Sequence, residues 1–189
     1  MTTSVVLAGV GGQGILLASE IIAQAAVFSG FDVKTNEVHG MAQRGGSVIA
    51  QIRYGKTVFS PLVQKGTAKV LASLERIEAL RYVDYLADDG MAIISDQMIV
   101  PVTASTGKTP YPDVDEKLLA KVFPKLVYIQ AVDLAAELGN AKTANTILLG
   151  TLSKYLDLPA ESWEQAIRKS VKPELAEINL EAFRRGISL

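Results

Sequence analysis

Six residues near the start of the chain, Gly9 to Gly14, have the spacing G-x-G-x-x-G. They follow a β-branched run, Ser4 to Ala8, and precede an apolar helical pattern that begins at Ile15. Glycines let bare backbone approach a ligand closely, and free N–H groups at the start of a helix attract anions. The motif therefore predicts contact with a phosphate-bearing ligand or a cofactor fragment, although a turn with only a packing role would have the same spacing. The residues predicted to bind are Gly11, Gly12, Gln13 and Gly14.

A second glycine-rich stretch, residues 37–47, is the densest polar segment of the chain. Arg44 stands beside Gly45-Gly46, where bare backbone lets a carboxylate or phosphate approach the guanidinium group. His39 can exchange a proton near neutral pH, but no carboxylate or hydroxyl near it in the sequence completes a nucleophilic triad. We therefore predict a binding site formed by the residues His39, Arg44, Gly45 and Gly46. A structural role for His39 and an ion pair between Arg44 and Glu37 are the alternatives.

The first stretch lies inside a predicted strand–loop–helix–strand unit, with strands at 4–8 and 32–35 and a helix at 15–28, and the second stretch follows the last strand of that unit. Such a unit is expected to be a right-handed crossover. Ligands of open α/β sheets bind at the carboxyl ends of the strands. The two glycine-rich stretches should therefore line one crevice.

The rest of the chain alternates apolar runs with turn residues and then becomes helical. Further strands are predicted at 47–54, 57–59 (after a hairpin turn at 55–56), 68–74, 91–95 (after a turn at 89–90) and 126–130, with helices at 76–86 and 116–122. Residues 103–115 should form an exposed loop, and amphipathic helices should cover 145–155, 160–171 and 175–185. The predicted fold is α/β and Rossmann-like: one domain over 1–189, with a mostly parallel sheet flanked by helices and a helical C-terminal segment, 142–189, packed on it or on a partner.

Composition excludes several classes of function. The 189 residues carry a formal net charge of −1, so no strong attraction for nucleic acid or an anionic membrane is expected. Cysteine is absent and His39 is the only histidine, which excludes disulfides and cysteine-held iron–sulfur clusters and argues against a histidine-rich zinc site. Glycines interrupt the apolar start of the chain, and the first positive charge is Lys34. We therefore expect a cytoplasmic protein without a signal sequence or a membrane span.

Three segments of the chain are similar to those of a known family. They are Gly9 to Gly14, the twelve residues Glu37 to Val48, and Ser60-Pro61-Leu62. In these segments the chain resembles the γ-type domain of 2-oxoacid:ferredoxin oxidoreductases, and within that family it is most similar to the indolepyruvate ferredoxin oxidoreductases. The likeness continues at 79–81, at Asn145 with 149–150, and at Asn179 with 182–183, so it covers most of the chain.

The resemblance implies a subunit of an enzyme complex that is inactive alone. In such complexes a larger subunit carries thiamine diphosphate with Mg²⁺ and the iron–sulfur clusters, and the γ-type subunit packs against it. The complex oxidatively decarboxylates a 2-oxoacid to an acyl-CoA and passes the electrons to ferredoxin. By this resemblance the chain binds no cofactor alone, and the loops at 11–14 and 44–46 face the entry for coenzyme A or the partner's active site.

Two other functions stay open from the residues alone. Gly9 to Gly14 would also fit a stand-alone NAD(P)-binding dehydrogenase. Dinucleotide sites usually place an acidic residue about 20 residues beyond the glycine loop, where this chain has Lys34-Thr35-Asn36 and then Glu37. A purely structural subunit, whose loops touch no ligand, is the second alternative.

Overall fold

The structure, a computed structural model, describes residues 2–40, 45–100 and 112–189. Its strands are β1 (Thr2–Val10), β2 (Asp32–His39), β3 (Ser47–Gly55), β4 (Ala68–Ser73), β5 (Leu86–Ser95) and β6 (Leu126–Ile129). Its α-helices are α1 (Ile15–Phe28), α2 (Arg76–Arg81), α3 (Glu116–Val122), α4 (Ala131–Glu137), α5 (Ala144–Ser153), α6 (Ala160–Ser170) and α7 (Ala176–Ile187). Short 3₁₀ turns lie at Val83–Tyr85, Ala141–Thr143 and Pro173–Leu175.

The strands form a six-stranded sheet in the order β2-β3-β1-β4-β5-β6. The neighbours β1, β4, β5 and β6 are parallel, whereas β3 is antiparallel to both β1 and β2. The predicted fold class is confirmed, because the sheet is mostly parallel and helices flank it. β1 and β2 run in the same direction, as the predicted crossover requires, but β3 lies between them.

Helices cover strand β1 on both faces of the sheet. Val5 and Leu7 belong to a hydrophobic core shared with α1, α5, α6 and α7. Val6 packs in a second core with Ala79 of α2 and Leu119 of α3. Successive side chains of a strand point to opposite faces. The continuous apolar sequence of β1 therefore follows from its burial on both sides.

The helices after residue 142 pack on the same sheet face as α1. α5 and α7 cross where Gly150 meets Gly186, and a Cβ on either glycine would overlap the backbone of the other helix. Trp163 of α6 stacks on Phe183 of α7, with 5.6 Å between the ring centroids. The three predicted C-terminal helices are confirmed. Among the described residues, no helix has both the length and the apolar character needed to cross a membrane.

Two predictions near the second and third strands are wrong. Residues 57–59 do not form a hairpin strand: Phe59 is 95% exposed, and side chains hold this segment instead of a strand ladder. An oxygen of Asp32 accepts a hydrogen bond from the Val58 N–H, and Arg53 donates to the Ser60 carbonyl. The strand predicted at 32–35 extends further than expected, because β2 pairs with β3 as far as His39.

Other boundaries also differ from the prediction. Residues 89–90 lie inside β5 rather than in a turn. A Cβ at Gly90 would lie 2.8 Å from the Ala68 carbonyl, so the glycine permits close pairing of β4 with β5. The helix predicted at 76–86 ends at Arg81, and α4 was not predicted. Most of the loop predicted at 103–115 lies outside the described residues.

Candidate functional site

Backbone hydrogen bonds join the two glycine-rich loops at the carboxyl edge of the sheet. The Gly11 N–H donates to the Gly46 carbonyl at 2.8 Å, and the Gly45 N–H donates to the Gly11 carbonyl at 3.3 Å. The two loops meet because β1 and β3 are neighbours, with Val10 opposite Ser47. We call residues 11–14 and 45–46 the glycine rim. Arg44, which we predicted to bind an anion beside it, lies outside the described residues.

The side chain of Gln13 fastens the glycine rim to the sheet. Its Oε1 accepts a hydrogen bond from the Val10 N–H, and its Nε2 donates to the Leu74 carbonyl just beyond β4, both at 2.9 Å. Both ends of the side-chain amide are therefore bonded to backbone. The polar atoms of Gln13 serve the fold, and a ligand on the rim would meet the bare backbone of its neighbours, such as the exposed Gly12.

Gly14 lies at the start of α1 in the left-handed region, with a φ of 78°. A Cβ at this position would lie 2.5 Å from Nδ2 of Asn145. That same nitrogen donates to the Gly14 carbonyl at 3.1 Å. Asn145 is buried in α5, so this contact joins the start of α1 to the start of α5. Both the φ angle and the lack of space therefore favour glycine at position 14.

A groove of about 600 Å³ lies on one side of the glycine rim. The opposite wall comes from the 3₁₀ turn before α5 and from the connection between α6 and α7. Apolar side chains of Leu17, Leu74 and Val132 line the groove. Two exposed cations, Lys142 and Lys172, line it as well. We call this space the lysine groove.

A second groove, of about 670 Å³, also borders Gly12 and Gly14 of the rim and contains His39. His39 is the last residue of β2, pairs with Val48 and is exposed. The next residue, Gly40, donates its N–H to the Ser47 carbonyl at 2.8 Å. The groove is otherwise mostly apolar, with Ile15 and Leu16 among its lining residues. The structure thus brings His39 and the glycine loop to one groove.

The sequence matches the family described as pyruvate ferredoxin/flavodoxin oxidoreductase over residues 4–189. The chain belongs to this family. The predicted resemblance to γ-type domains of 2-oxoacid:ferredoxin oxidoreductases is confirmed, and so is the assignment as the small subunit of such an enzyme.

Individual relatives within the pyruvate ferredoxin/flavodoxin oxidoreductase family agree with this assignment. Indolepyruvate oxidoreductase subunit IorB of Thermococcus kodakarensis is 41% identical over 189 residues, which cover 97% of this chain and 94% of that protein. The gamma subunit of a keto/oxoacid ferredoxin oxidoreductase from Geobacter sulfurreducens has a TM-score of 0.72 at 21% identity, covering 98% of this chain and 96% of that one. A 2-oxoglutarate:ferredoxin oxidoreductase from Magnetococcus marinus, with 2-oxoglutarate, coenzyme A and succinyl-CoA bound, has a TM-score of 0.73 at 20% identity. The similarity covers 99% of this chain and 30% of that longer one. The two solved structures show that the fold is shared.

In this member of the family, two carboxyl groups that follow β4 and β5 have a raised pKa. Burial raises the pKa of Glu75, although hydrogen bonds from the N–H groups of Glu78 and Ile99 act in the opposite direction. Burial and the negative charge of Asp133 raise the pKa of Asp96, which follows β5. Within 2–40, 45–100 and 112–189, no three His, Cys, Asp or Glu side chains are grouped so that they could hold a metal ion. The described site therefore offers backbone N–H groups and cations for binding.

Sequence reasoning missed the two lysines of the lysine groove. Lys142 lies in the 3₁₀ turn before α5, and Lys172 precedes Pro173, so both are far from the glycine loop in sequence. The fold brings them to the rim because α5–α7 return to the sheet face that α1 covers. Among these residues only Asn145 carried a signal, through the family resemblance.

Proposed function

We propose that this chain is the small subunit of a ferredoxin oxidoreductase that acts on indolepyruvate or a related arylpyruvate, and that it functions only with a larger subunit. Support for the substrate comes from the 41% identity to a protein named indolepyruvate oxidoreductase subunit. Relatives named for pyruvate and ketoisovalerate, or for 2-oxoglutarate, are 31% and 27% identical. The higher identity over nearly the whole chain favours indolepyruvate.

The residues of this chain do not fit the redox cofactors of such enzymes. 2-Oxoacid:ferredoxin oxidoreductases are thiamine diphosphate and iron–sulfur enzymes. Clusters are held mainly by cysteine thiolates, and this chain has no cysteine. The Mg²⁺ that accompanies thiamine diphosphate needs oxygen ligands, and the described ranges contain no carboxylate cluster suited to a metal. We therefore assign both cofactors to the larger subunit and make ferredoxin the electron acceptor of the complex.

The glycine rim and the lysine groove together suit coenzyme A. This substrate has phosphates at one end and a long, weakly polar arm that ends in a thiol. Lys142 and Lys172 can attract the phosphates, while the apolar floor of the groove can contact the arm. Bare backbone at Gly12 and Gly14, both of which line this groove, lets the ligand approach the rim and the start of α1. The observation that carries the proposal is that cations, apolar floor and rim line one groove of about 600 Å³.

The reaction divides between the two subunits. The bond between the carboxylate and the carbonyl carbon of the 2-oxoacid breaks, and a bond forms between that carbonyl carbon and the sulfur of coenzyme A. The products are an acyl-CoA, carbon dioxide, a proton and two electrons, which reduce two ferredoxins. In this division the chain binds coenzyme A in the lysine groove and orients it toward the partner's active site.

Anaerobic affinity isolation of the tagged chain from its native lysate tests the assembly. We expect a brown complex in which a larger, cysteine-rich subunit accompanies the chain and iron analysis accounts for the colour. Lys154 is exposed and lies outside the two grooves, so the Lys154→Ala variant should give the same complex as the unmodified chain. A colourless chain without a partner would contradict the proposal.

The alternative functions predict other results. A stand-alone dehydrogenase would bind NAD or NADP saturably as an isolated chain. The strand order opposes this reading, because antiparallel β3 lies beside β1 where a dinucleotide fold has a parallel strand with the ribose-binding acid. A purely structural subunit would assemble normally, but Arg44→Ala and Lys172→Ala would leave the KM for coenzyme A unchanged.

A further inference from the structure

A buried carboxylate bonds to the residue that follows the glycine rim and lines neither of the two grooves. Glu78 of α2 is 5% exposed and accepts a hydrogen bond from the Ser47 hydroxyl. Arg81, one turn along the helix, donates from Nε to both of its oxygens, at 3.1 and 3.2 Å. The Tyr82 hydroxyl lies 2.9 Å from the Ser47 hydroxyl. Ser47 thus connects to two polar groups of the segment 78–82.

Ser47 is the residue through which this cluster reaches the rim. It directly follows Gly45-Gly46, whose backbone is bonded to Gly11. A displacement of Ser47 would therefore move Gly46 and the hydrogen bonds that join the two loops. The helix that carries Glu78 is itself held in place. The Glu75 carboxylate, at the start of α2, accepts hydrogen bonds from the N–H groups of Glu78 and Ile99.

The chemistry of the cluster favours positioning over simple packing. A buried carboxylate is costly unless it is paired and hydrogen-bonded, and an apolar side chain would fill the same volume at lower cost. Here the carboxylate fixes one hydroxyl at one place, and Arg81 balances its charge. A charge-assisted hydrogen bond is short and directional, so it defines the position of Ser47 more narrowly than apolar contact does.

We propose that Ser47, Glu78 and Tyr82 are positioning residues. They fix the position of Gly46, and with it the glycine rim, and thereby set the affinity for coenzyme A without touching it. The inference rests on the proposed function, because it assumes that the rim meets coenzyme A. It assigns a role to a cluster that lies outside both grooves.

The test compares Ser47→Ala with Ser47→Thr in the assembled complex. Ser47→Ala removes the hydroxyl, and we expect the KM for coenzyme A to rise about tenfold, because part of the free energy of the lost internal hydrogen bond must then be supplied by the ligand when it positions the rim. The kcat and the KM for the 2-oxoacid should change by less than about twofold. Ser47→Thr keeps the hydroxyl and should restore the KM for coenzyme A. A merely structural role would instead lower assembly and kcat together.

Hydrogen exchange provides a readout that does not depend on activity. In Ser47→Ala the amides of Gly11 and Gly45 should exchange faster, because their hydrogen bonds to the Gly46 and Gly11 carbonyls loosen. Tyr82→Phe, which keeps the ring, should produce a smaller change in the same direction. Unchanged exchange and an unchanged KM for coenzyme A in both variants would overturn the inference.

Lys172→Ala separates the failure of this inference from that of the proposed function. If Lys172→Ala raises the KM for coenzyme A but Ser47→Ala does not, the positioning role is wrong while the coenzyme A groove stands. If neither variant nor Arg44→Ala alters that KM, the coenzyme A assignment itself is wrong, and the positioning role is overturned with it.

Discussion

The side-chain amide of Gln13 donates a hydrogen bond to the Leu74 carbonyl, which is 2.9 Å away although the residues are 61 positions apart. The same side chain accepts a hydrogen bond from the Val10 N–H. Gln13 therefore ties the end of β1 to the end of β4 and holds the glycine loop against the sheet. Gln13 was predicted from its motif to contact a ligand, but both polar ends of its side chain stabilise the glycine loop instead.

Replacing Gln13 by leucine should destabilise the chain by about 2 kcal/mol, because a backbone donor and a backbone acceptor lose their partner. Urea unfolding of the variant measures this free energy. Gln24→Leu in α1 is a matched control, since its amide bonds only the exposed Lys169 in the described structure. The control should change the stability by less than about 0.5 kcal/mol. Equal effects of the two variants would show that Gln13 has no special role.

Gly14→Ala should destabilise the chain by about 2–4 kcal/mol, because it adds left-handed backbone strain to a collision with Asn145. Asn145→Ala opens the space, so the glycine substitution should cost about 1 kcal/mol less in that background. A double-mutant cycle by urea unfolding measures the difference. Strict additivity would mean that the two residues do not compete for this space.

Stability should fall in alkaline solution through Tyr54. Burial raises the pKa of Tyr54 from its ordinary value of 10.0 to about 12. Below pH 10 the phenol is neutral in both states, and its contribution to stability is constant. Between pH 10 and 12 the unfolded chain loses the proton more readily than the folded chain, so stability decreases. Tyr54→Phe should remove this part of the decline in urea midpoints, and identical declines would contradict the pKa shift.

Lys142→Ala and Lys172→Ala should each raise the KM for coenzyme A about three- to fivefold in the assembled enzyme. The effect should shrink as salt is added, because exposed charges are screened. The KM for the 2-oxoacid should not change. Lys154→Ala is exposed but lies outside the groove, and it should behave as the unmodified enzyme. A salt-independent rise, or an equal rise with the control, would exclude a phosphate contact.

The sequence was most informative where local pattern and burial agree. The apolar run of β1, the glycine turn and the first helix were predicted because each has a strong local signal. The second strand was predicted too short because Glu37 and His39 are polar, yet edge strand β2 exposes both. The turn predicted at 89–90 is absent, because Gly90 lies inside β5 and allows that strand to approach the Ala68 carbonyl of β4 closely.

The site was predicted in part. The wall formed by the glycine loop is a continuous segment of sequence, whereas the opposite wall comes from distant segments. Gly12 and Gly46 each lie in a glycine-rich motif that a reader of the sequence can find. Lys142 and Lys172 carry no such motif, and only the return of the C-terminal helices brings them to the rim. The antiparallel direction of β3 could not be predicted either, because a strand's direction depends on its pairing and not on its own residues.

Reconstitution of indolepyruvate-dependent ferredoxin reduction tests the central claim most directly. The chain, the larger subunit and their mixture would be assayed anaerobically with indolepyruvate, coenzyme A and oxidised ferredoxin. We predict that the mixture forms acyl-CoA and reduces ferredoxin, that neither subunit alone does so, and that activity saturates as this chain is added. Full activity of the larger subunit alone, or turnover by this chain alone, would contradict the account.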